Sequence, residues 1–293
     1  MRGLLEGKTV PVLIVLLAIV LFWYVMAAVM NAPWQTTLNT RAGLTDVPLF
    51  EFVAQTYAQD KPVLPAPHQV IGAIWNGLFG AAITAPRSLA FHASITLGAT
   101  LLGFALGTAL GVLLAVIIVH NNASDRSLMP WIIASQTVPI LAIAPMVVVG
   151  LGAVGVTGLL PKALISMYLS FFPVVVGMVK GLRTPEPIQL DLMRTYNASP
   201  LQVFMKLRWP ASVPILFASM KVGIAISLIG AVVGELSNSA GGGLGVRLLT
   251  GSYNGQTIQI WAALFIAAAL AAILVMLVGW GERLANRRMG VRA

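Results

Sequence analysis

Asp191–Pro210 reads DLMRTYNASPLQVFMKLRWP, a polar, partly basic stretch between two long apolar runs, Leu159–Val179 and Ser212–Leu236. It is no membrane span, because Asp191, Arg194, Asn197, Gln202, Lys206 and Arg208 are too many polar groups for hydrocarbon. Pro185 and Pro187 end the helix before it. Ile188, Leu192 and Met193 then mark a short apolar face. Asn197-Ala198-Ser199-Pro200 predicts a break: Asn is the best non-glycine residue at a left-handed helix end. Ser199 suits an N-cap and Pro200 the first helical position. A second helix is expected from Pro200 to about Trp209, with Pro210 opening the climb into the next span. Two short helices joined by a tight turn make a compact knob that can seat in a cleft of another protein; the plainer alternative is an amphipathic connector.

Composition supports a membrane setting for this loop. Of 293 residues 58% are hydrophobic and only 9% charged, where a soluble domain carries about 25% charged residues; mean hydropathy is +0.89. The formal charge of +9 does not point to nucleic acid, since no basic stripe interleaves with aromatics. Arg283, Arg287, Arg288 and Arg292 crowd the C-terminus, and Lys180, Arg183, Arg194, Lys206 and Arg208 belong to one loop. There is no cysteine, which excludes disulfides and thiolate metal sites. Arg2 and Lys8 precede an apolar stretch longer than a signal core and followed by no clean A-x-A site, so it reads as a retained first span.

A helical span takes about 20 apolar residues. Six segments qualify, roughly Val10–Met30, His92–Val119, Trp131–Leu151, Leu159–Val179, Ser212–Leu236 and Gln259–Gly281. The alternation of a membrane barrel is missing. The fold class is therefore all-α: residues 1–30 as the first span, 31–91 as an external segment, 92–281 as a five-helix core containing the loop 182–211, and 282–293 as a basic tail. Excess basic charge in the 180–211 loop and the tail, against a neutral 31–91, places both termini and the knob in the cytoplasm. Residues 31–62 show no period strong enough to assign. Residues 64–91 space Val70, Ile74, Leu78 and Trp75 like an amphipathic surface helix introduced by Pro65 and Pro67. Gly103, Gly107 and Gly111, at four-residue intervals, predict close packing of the second span.

The spacing of the opening stretch resembles the cytoplasmic EAA loop of ABC-importer permeases, E-A-A, three residues, G, nine residues, I-x-L-P. Asp191-Leu192-Met193 stand in the first triplet, Asn197 in the Gly place, and Leu207, Trp209 and Pro210 in the closing places. LPAPHQV from Leu64, ASPLQVFMKLRWPASVP from Ala198, and IGAVVGEL followed by GGGLG are similar to the nitrate/sulfonate/taurine group of these permeases. The departures are Asp for Glu, Leu-Met for Ala-Ala, Asn for Gly and Trp for Leu. The resemblance implies a six-helix permease bundle in a bacterial-type inner membrane. It also implies a cytoplasmic ATPase dimer gripping Asp191, Leu192, Met193, Arg194, Asn197, Ala198, Ser199, Pro200, Phe204, Leu207 and Pro210. A second permease copy, most simply identical, and an external solute-binding protein complete the assembly, with membrane lipid around it. No Walker motif occurs, so ATP and Mg would be bound by the ATPase and no cofactor by this chain.

Polar residues within the spans need reasons. Ser135, Gln136 and Thr137, ahead of Pro139 and Pro145, with Tyr168, Ser170, Phe171, Ser227 and Glu235, are candidates for lining a solute path; the competing reading is hydrogen bonding between helices. Glu235 would either brace the turn after the fifth span or act as a gate. Lys221 is expected to snorkel toward the cytoplasm, and the glycine run 241–245 to be a flexible outer turn. His68, His92 and His120 are scattered and suggest no metal site. The solute is expected to be a nitrate-, sulfonate- or taurine-like anion, or a pyrimidine-type vitamin precursor. A self-sufficient secondary transporter or channel is the rival, and it would want discontinuous helices with paired mid-membrane carboxylates.

Overall fold

The first apolar run continues well past its expected end at Met30, as helix α1, Thr9–Arg41. The computed structural model describes residues 9–44, 46–238 and 241–289, whose regular structure is entirely helical; Arg2, Lys8 and Arg292 of the charge argument lie outside them. At 1.5 Å per residue α1 is about 50 Å long against a hydrocarbon core of about 30 Å, so its last turns stand clear of the membrane. There Asn31, Gln35 and Asn39 are buried beside helix α2, Leu49–Tyr57. The Gln35 amide donates to Asn39 Oδ1 at 3.0 Å and to Gln55 Oε1 at 3.1 Å, and Gln59 donates to Gln35 Oε1 at 2.9 Å. Asn31 Oδ1 accepts from the Val63 and Leu64 N–H groups at 2.8 and 3.1 Å. Residues 31–62, which show no apolar period, are thus organised by an amide ladder. Helix α3, Pro67–Phe79, follows, with Pro67 at its first position.

Helix α4, Leu89–His120, is an unbroken span. The expected third span is instead two helices, α5 Asn122–Ser135 and α6 Ile140–Ala153, meeting at 96°. Pro139 accounts for the break, since it has no N–H to donate and disfavours α geometry at Val138. Helix α7, Leu159–Leu182, leads into the knob, whose first helix is α8, Pro187–Thr195. The second knob helix does not stop at Trp209. Helix α9, Pro200–Val203, a π turn over Phe204–Arg208, and α10, Trp209–Ser237, form one rod. The Trp209 N–H donates to Phe204 O, five residues back. That wider turn takes in Pro210, whose ring would clash with the preceding turn of a regular α-helix. Helix α11, Leu244–Tyr253, and α12, Thr257–Arg288, complete the chain, so the expected tail is helical through Arg288.

By packing, the described residues form two units: those up to Ala90 with Arg247–Ile266, and Phe91–Val246 with those from Ala267 onward. The expected core 92–281 is thus interrupted by a segment that packs in the first unit. Trp23 lies 5.0 Å from Trp261 and 5.7 Å from Phe265, centroid to centroid, and Thr257 Oγ1 donates to Pro62 O. That bond fixes the parity of the bundle. Pro62 follows the first crossing and Thr257 begins the last, so an even number of crossings separates them. Helices α4, α7 and α10 supply three, and the bent α5–α6 pair supplies the fourth, which makes six crossings in all.

In the second unit α7 and α10 form the most extensive helix pair. Small residues make it possible. A Cβ on Gly230 would sit 2.7 Å from Ser166 Cα, and one on Gly181 2.9 Å from Ser212 Cβ. Helix α4 meets α7 in the same way: Gly103 faces Ser166, Gly107 faces Ser170 Oγ, and Gly111 leaves only 2.8 Å to Val174. Ser166 Oγ donates to Ser227 O at 2.7 Å and Ser227 Oγ to Thr100 O at 2.9 Å, so three helices are tied at one level. Replacing Gly107 by Leu should cost at least the ~1–3 kcal/mol typical of overpacking, lowering the melting temperature in detergent and broadening the size-exclusion profile. Gly152→Leu, where a Cβ meets nothing within 4 Å, should change neither; equal behaviour of the two variants would contradict this packing.

Candidate functional site

The knob is built by local hydrogen bonding. Helix α8 ends with the Asn197 N–H on Arg194 O at 2.9 Å and the Ala198 N–H on Met193 O at 3.0 Å, a Schellman pair. Asn197 has φ 50°, and no other non-glycine residue among those described has a positive φ. Ser199 and Gln202 then cap the next helix reciprocally: the Ser199 N–H donates to Gln202 Oε1 at 2.8 Å, and Ser199 Oγ accepts from the Gln202 N–H at 3.4 Å. The left-handed turn and the N-cap read from the sequence are both present.

The expected knob residues divide by direction. Asp191, Leu192, Arg194, Asn197, Ser199, Pro200 and Pro210 are exposed, while Met193, Ala198, Phe204 and Leu207 are partly buried. Asp191 pairs with Arg194 at 2.9 Å on the surface, which contributes little to stability. Phe204 is an anchor: its ring lies 5.3 Å from His120 and 6.0 Å from Trp209. Arg208 donates to Leu182 O at 3.2 Å, and Arg183 pairs with Asp125 at 2.8 Å. Residues outside the motif supply most of the exposed apolar face. Ile188 and Tyr196, 73% and 77% exposed, flank Leu192 at four-residue spacing, and Leu201 and Met205, also four apart, are exposed beyond the turn. Helical spacing within each of the two knob helices is the signal for them, and the motif positions alone pass over it.

At the other end of the α7–α10 pair lies a buried polar node. Glu235 accepts from Thr96 Oγ1 at 2.8 Å and from the Gly245 N–H at 2.8 Å, so it caps the start of α11. Thr96 Oγ1 also accepts from the Leu244 N–H at 2.9 Å, and His92 Nδ1 from the Gly243 N–H at 2.9 Å. Lys162 donates to Gly242 O at 2.7 Å and interacts electrostatically with Glu235. The glycine run is therefore a pinned turn rather than a flexible one. Gly241, Gly242 and Gly243 have φ of 85°, 82° and 130°, and Gly243 lets the backbone lie directly on the Glu235 carboxylate. Of the expected alternatives for Glu235, bracing the turn is what its bonds do. Thr96, His92 and Lys162 were not foreseen as its partners; Thr96 and Thr100, one helical turn apart in an apolar span, are the sequence trace of it.

Four of the eight path candidates gather at the 96° break. Tyr168 OH donates to Ser135 O, supplying a partner to a carbonyl near the break. Gln136 donates to Ser135 Oγ at 3.2 Å, and Thr137 is exposed beside them. Phe171, 6.1 Å from the Tyr168 ring, is itself buried in the core beside Val174 and Val175. Ser170, Ser227 and Glu235 are fully buried within the chain and bonded to neighbouring helices, so they face no path in this conformation. Next to Tyr168 a groove of about 450 Å³, walled by Ile140, Ile143, Met146 and Val147 among others, runs between α6 and α7. Lys221 also departs from expectation: it pairs with Glu282 of α12 rather than snorkelling out, the partner lying one helix away where no local pattern reveals it.

Residues 107–291 match the family described as "Binding-protein-dependent transport system inner membrane component". The riboflavin transport system permease protein RibX of Chloroflexus aurantiacus is 31% identical over 77% of this chain and 80% of its own length. The formylaminopyrimidine transport permease protein ThiX of Halalkalibacterium halodurans is 29% identical over 72% of this chain and 80% of its own. Among solved structures, the inward-facing MetNI methionine ABC transporter shares the fold, with a TM-score of 0.53 at 16% identity, covering 74% of this chain and 96% of that one. A bundle that crosses the membrane six times, carries a two-helix knob between its fourth and fifth crossings and matches that family over most of its length has one reading: the chain belongs to the binding-protein-dependent transport system inner membrane components and is the multi-pass permease component of an ABC importer.

Proposed function

We propose that two copies of this chain form the path for a small, uncharged heteroaromatic solute of the vitamin or vitamin-precursor kind. A separate cytoplasmic ATPase dimer binds ATP and Mg and seats on the knob, and an external binding protein delivers the solute. Both termini lie in the cytoplasm on this reading, following the basic charge of the knob and of α12's end. The observation that carries the coupling role is the exposed apolar face of Ile188, Leu192, Tyr196, Leu201 and Met205 on a turn of defined geometry between two crossings. An unpartnered apolar face of this kind on an aqueous loop suits a protein partner.

The solute class rests on charge and on the relatives. Lys162 of α7 and Lys221 of α10 face Glu235 and Glu282, which leaves little positive potential at those two positions for a nitrate-, sulfonate- or taurine-like anion. The groups that remain near the break, Ser135, Gln136, Thr137 and Tyr168, are uncharged hydrogen-bonding or aromatic groups. They suit a ring that stacks and hydrogen-bonds, such as those named for the riboflavin and formylaminopyrimidine permeases. The broken helix meets half of what a secondary transporter would need, but Asp125, the carboxylate it carries, is in the first turn of α5 and paired with Arg183, and no paired carboxylates accompany the break among the described residues.

Knob variants test the coupling. Tyr196→Ala and Leu192→Asp should each lower recovery of the ATPase with tagged permease about thirtyfold, as for a hot-spot loss of ~2 kcal/mol, while the permease itself stays monodisperse. Undiminished recovery with both would remove the knob from the interface. Asn197→Val should behave like them, because a β-branched side chain tolerates positive φ poorly, and Asn197→Gly should not; equal pull-down with Val would contradict a role for the left-handed turn. For the solute, uptake into proteoliposomes holding permease, ATPase and binding protein should occur with labelled riboflavin or formylaminopyrimidine and not with taurine or nitrate. Uptake of the anions alone would overturn the heteroaromatic assignment.

A further inference from the structure

A pocket of about 650 Å³ opens on the first unit, bounded by α3, the segment after it, and the first turns of α11 and α12. Gln69, Asn76, Arg87, Arg247 and Gln259 bring polar groups to its wall, and no carboxylate lines it. Arg247 donates to Gln259 Oε1 at 3.2 Å, but its Nε is buried and has no hydrogen-bond partner in the chain. Buried donors of this kind ordinarily find an acceptor. Arg87 makes no ion pair among the described residues. Two guanidinium groups and three amides therefore converge on a space with no counter-charge.

The other side of α3 shows what lies around that space. Ile71, Trp75 and Phe79, at four-residue spacing, are 66%, 65% and 68% exposed, and the Trp75 and Phe79 rings meet at 4.6 Å. An exposed aromatic stripe on a short helix beside a span belongs at the level of lipid headgroups. α3 follows the first crossing, Arg247 precedes the last and Gln259 lies in the first turn of α12, so by chain parity these residues share one side of the membrane. The polar pocket on the adjoining face of α3 thus opens at headgroup depth.

We infer that this pocket binds the phosphate of an anionic phospholipid in the leaflet opposite the knob. Arg247 Nε and the Arg87 guanidinium donate to the phosphate oxygens, the strongest pairing available to arginine. Gln69, Asn76 and Gln259 serve the headgroup, while Ile71, Trp75 and Phe79 lie along the acyl chains. An anionic lipid is favoured over a zwitterionic one because an ammonium beside two arginines would be repelled. The site is independent of the transported solute.

The test uses the permease purified with its ATPase in mild detergent, with retained lipid measured by mass spectrometry. Phosphatidylglycerol should be enriched over phosphatidylethanolamine relative to the membrane extract, and Arg87→Gln and Arg247→Gln should each reduce that enrichment about fivefold, as expected per basic group near a membrane surface. Gly72→Leu separates binding from folding: a Cβ at Gly72 meets nothing within 4 Å, so the leucine extends into the pocket and should also abolish enrichment while the melting temperature holds. Retained lipid at bulk composition, or enrichment unchanged in Gly72→Leu and Arg247→Gln alike, overturns the proposal. Inorganic phosphate decides the source. If it stabilises delipidated wild type but not Arg247→Gln, and phosphatidylglycerol does neither, the pocket takes free phosphate and the lipid assignment falls.

Discussion

Close backbone approach of α7 to α4 and α10 is the constraint on which the second unit depends. In lipid, helices gain little by hiding apolar surface from one another, so association rests on van der Waals fit and on hydrogen bonds between spans. Glycines opposite serines supply both here. Gly103, Gly107 and Gly230 remove side chains where α7 presents Ser166 and Ser170, and the freed proximity lets Ser166 and Ser227 bond across. The two ends of this helix pair carry the two devices of the chain. The knob joins the C-terminus of α7 to the rod that becomes α10, and at the far end Lys162 and Glu235 hold the glycine turn.

Much of this was legible in the sequence, and the failures have a common physical origin. Apolar runs of about 20 residues identify spans because hydrocarbon thickness is fixed. Asn197 and Ser199-Pro200 identified a turn because few residue types satisfy that backbone. What local pattern could not carry was polar organisation between segments distant in the chain. Asn31, Gln35 and Asn39 make no apolar period, yet with Gln55 and Gln59 they order residues 31–62. Lys221 has its partner in Glu282 and Glu235 in Thr96, so reading each alone misjudged the lysine and left the glutamate between two roles. Ser170 and Ser227 looked like a path lining for the same reason: a hydroxyl in a span announces a hydrogen bond, not its direction.

Prolines were misjudged in both directions. Pro139 and Pro210 each stand where a helix would continue, and the two outcomes differ by what surrounds them. At Pro139 the chain turns by 96°, and Tyr168 satisfies the Ser135 carbonyl close by. At Pro210 the π turn over Phe204–Arg208 keeps the rod hydrogen-bonded from Pro200 to Ser237. One proline gives a bend beside an apolar groove, the other an uninterrupted lever.

That lever bears on how force could cross the chain. A push on α9 is transmitted to α10 through continuous helical bonds, and Phe204, held against His120 and Trp209, keeps the π turn from flexing freely. A push on α8 has no such route. It reaches α10 through Tyr196–Ser199, where the Schellman pair and the Ser199–Gln202 box are the bracing, and through the packing of α7 on α10. Ile188, Leu192 and Tyr196 all belong to the α8 side, so in the proposed docking role these few residues are one of the links that would bear the load. Asn at position 197 suits that demand better than Gly: it reaches positive φ while giving the unfolded chain fewer alternatives, so the turn is held at a smaller entropic cost.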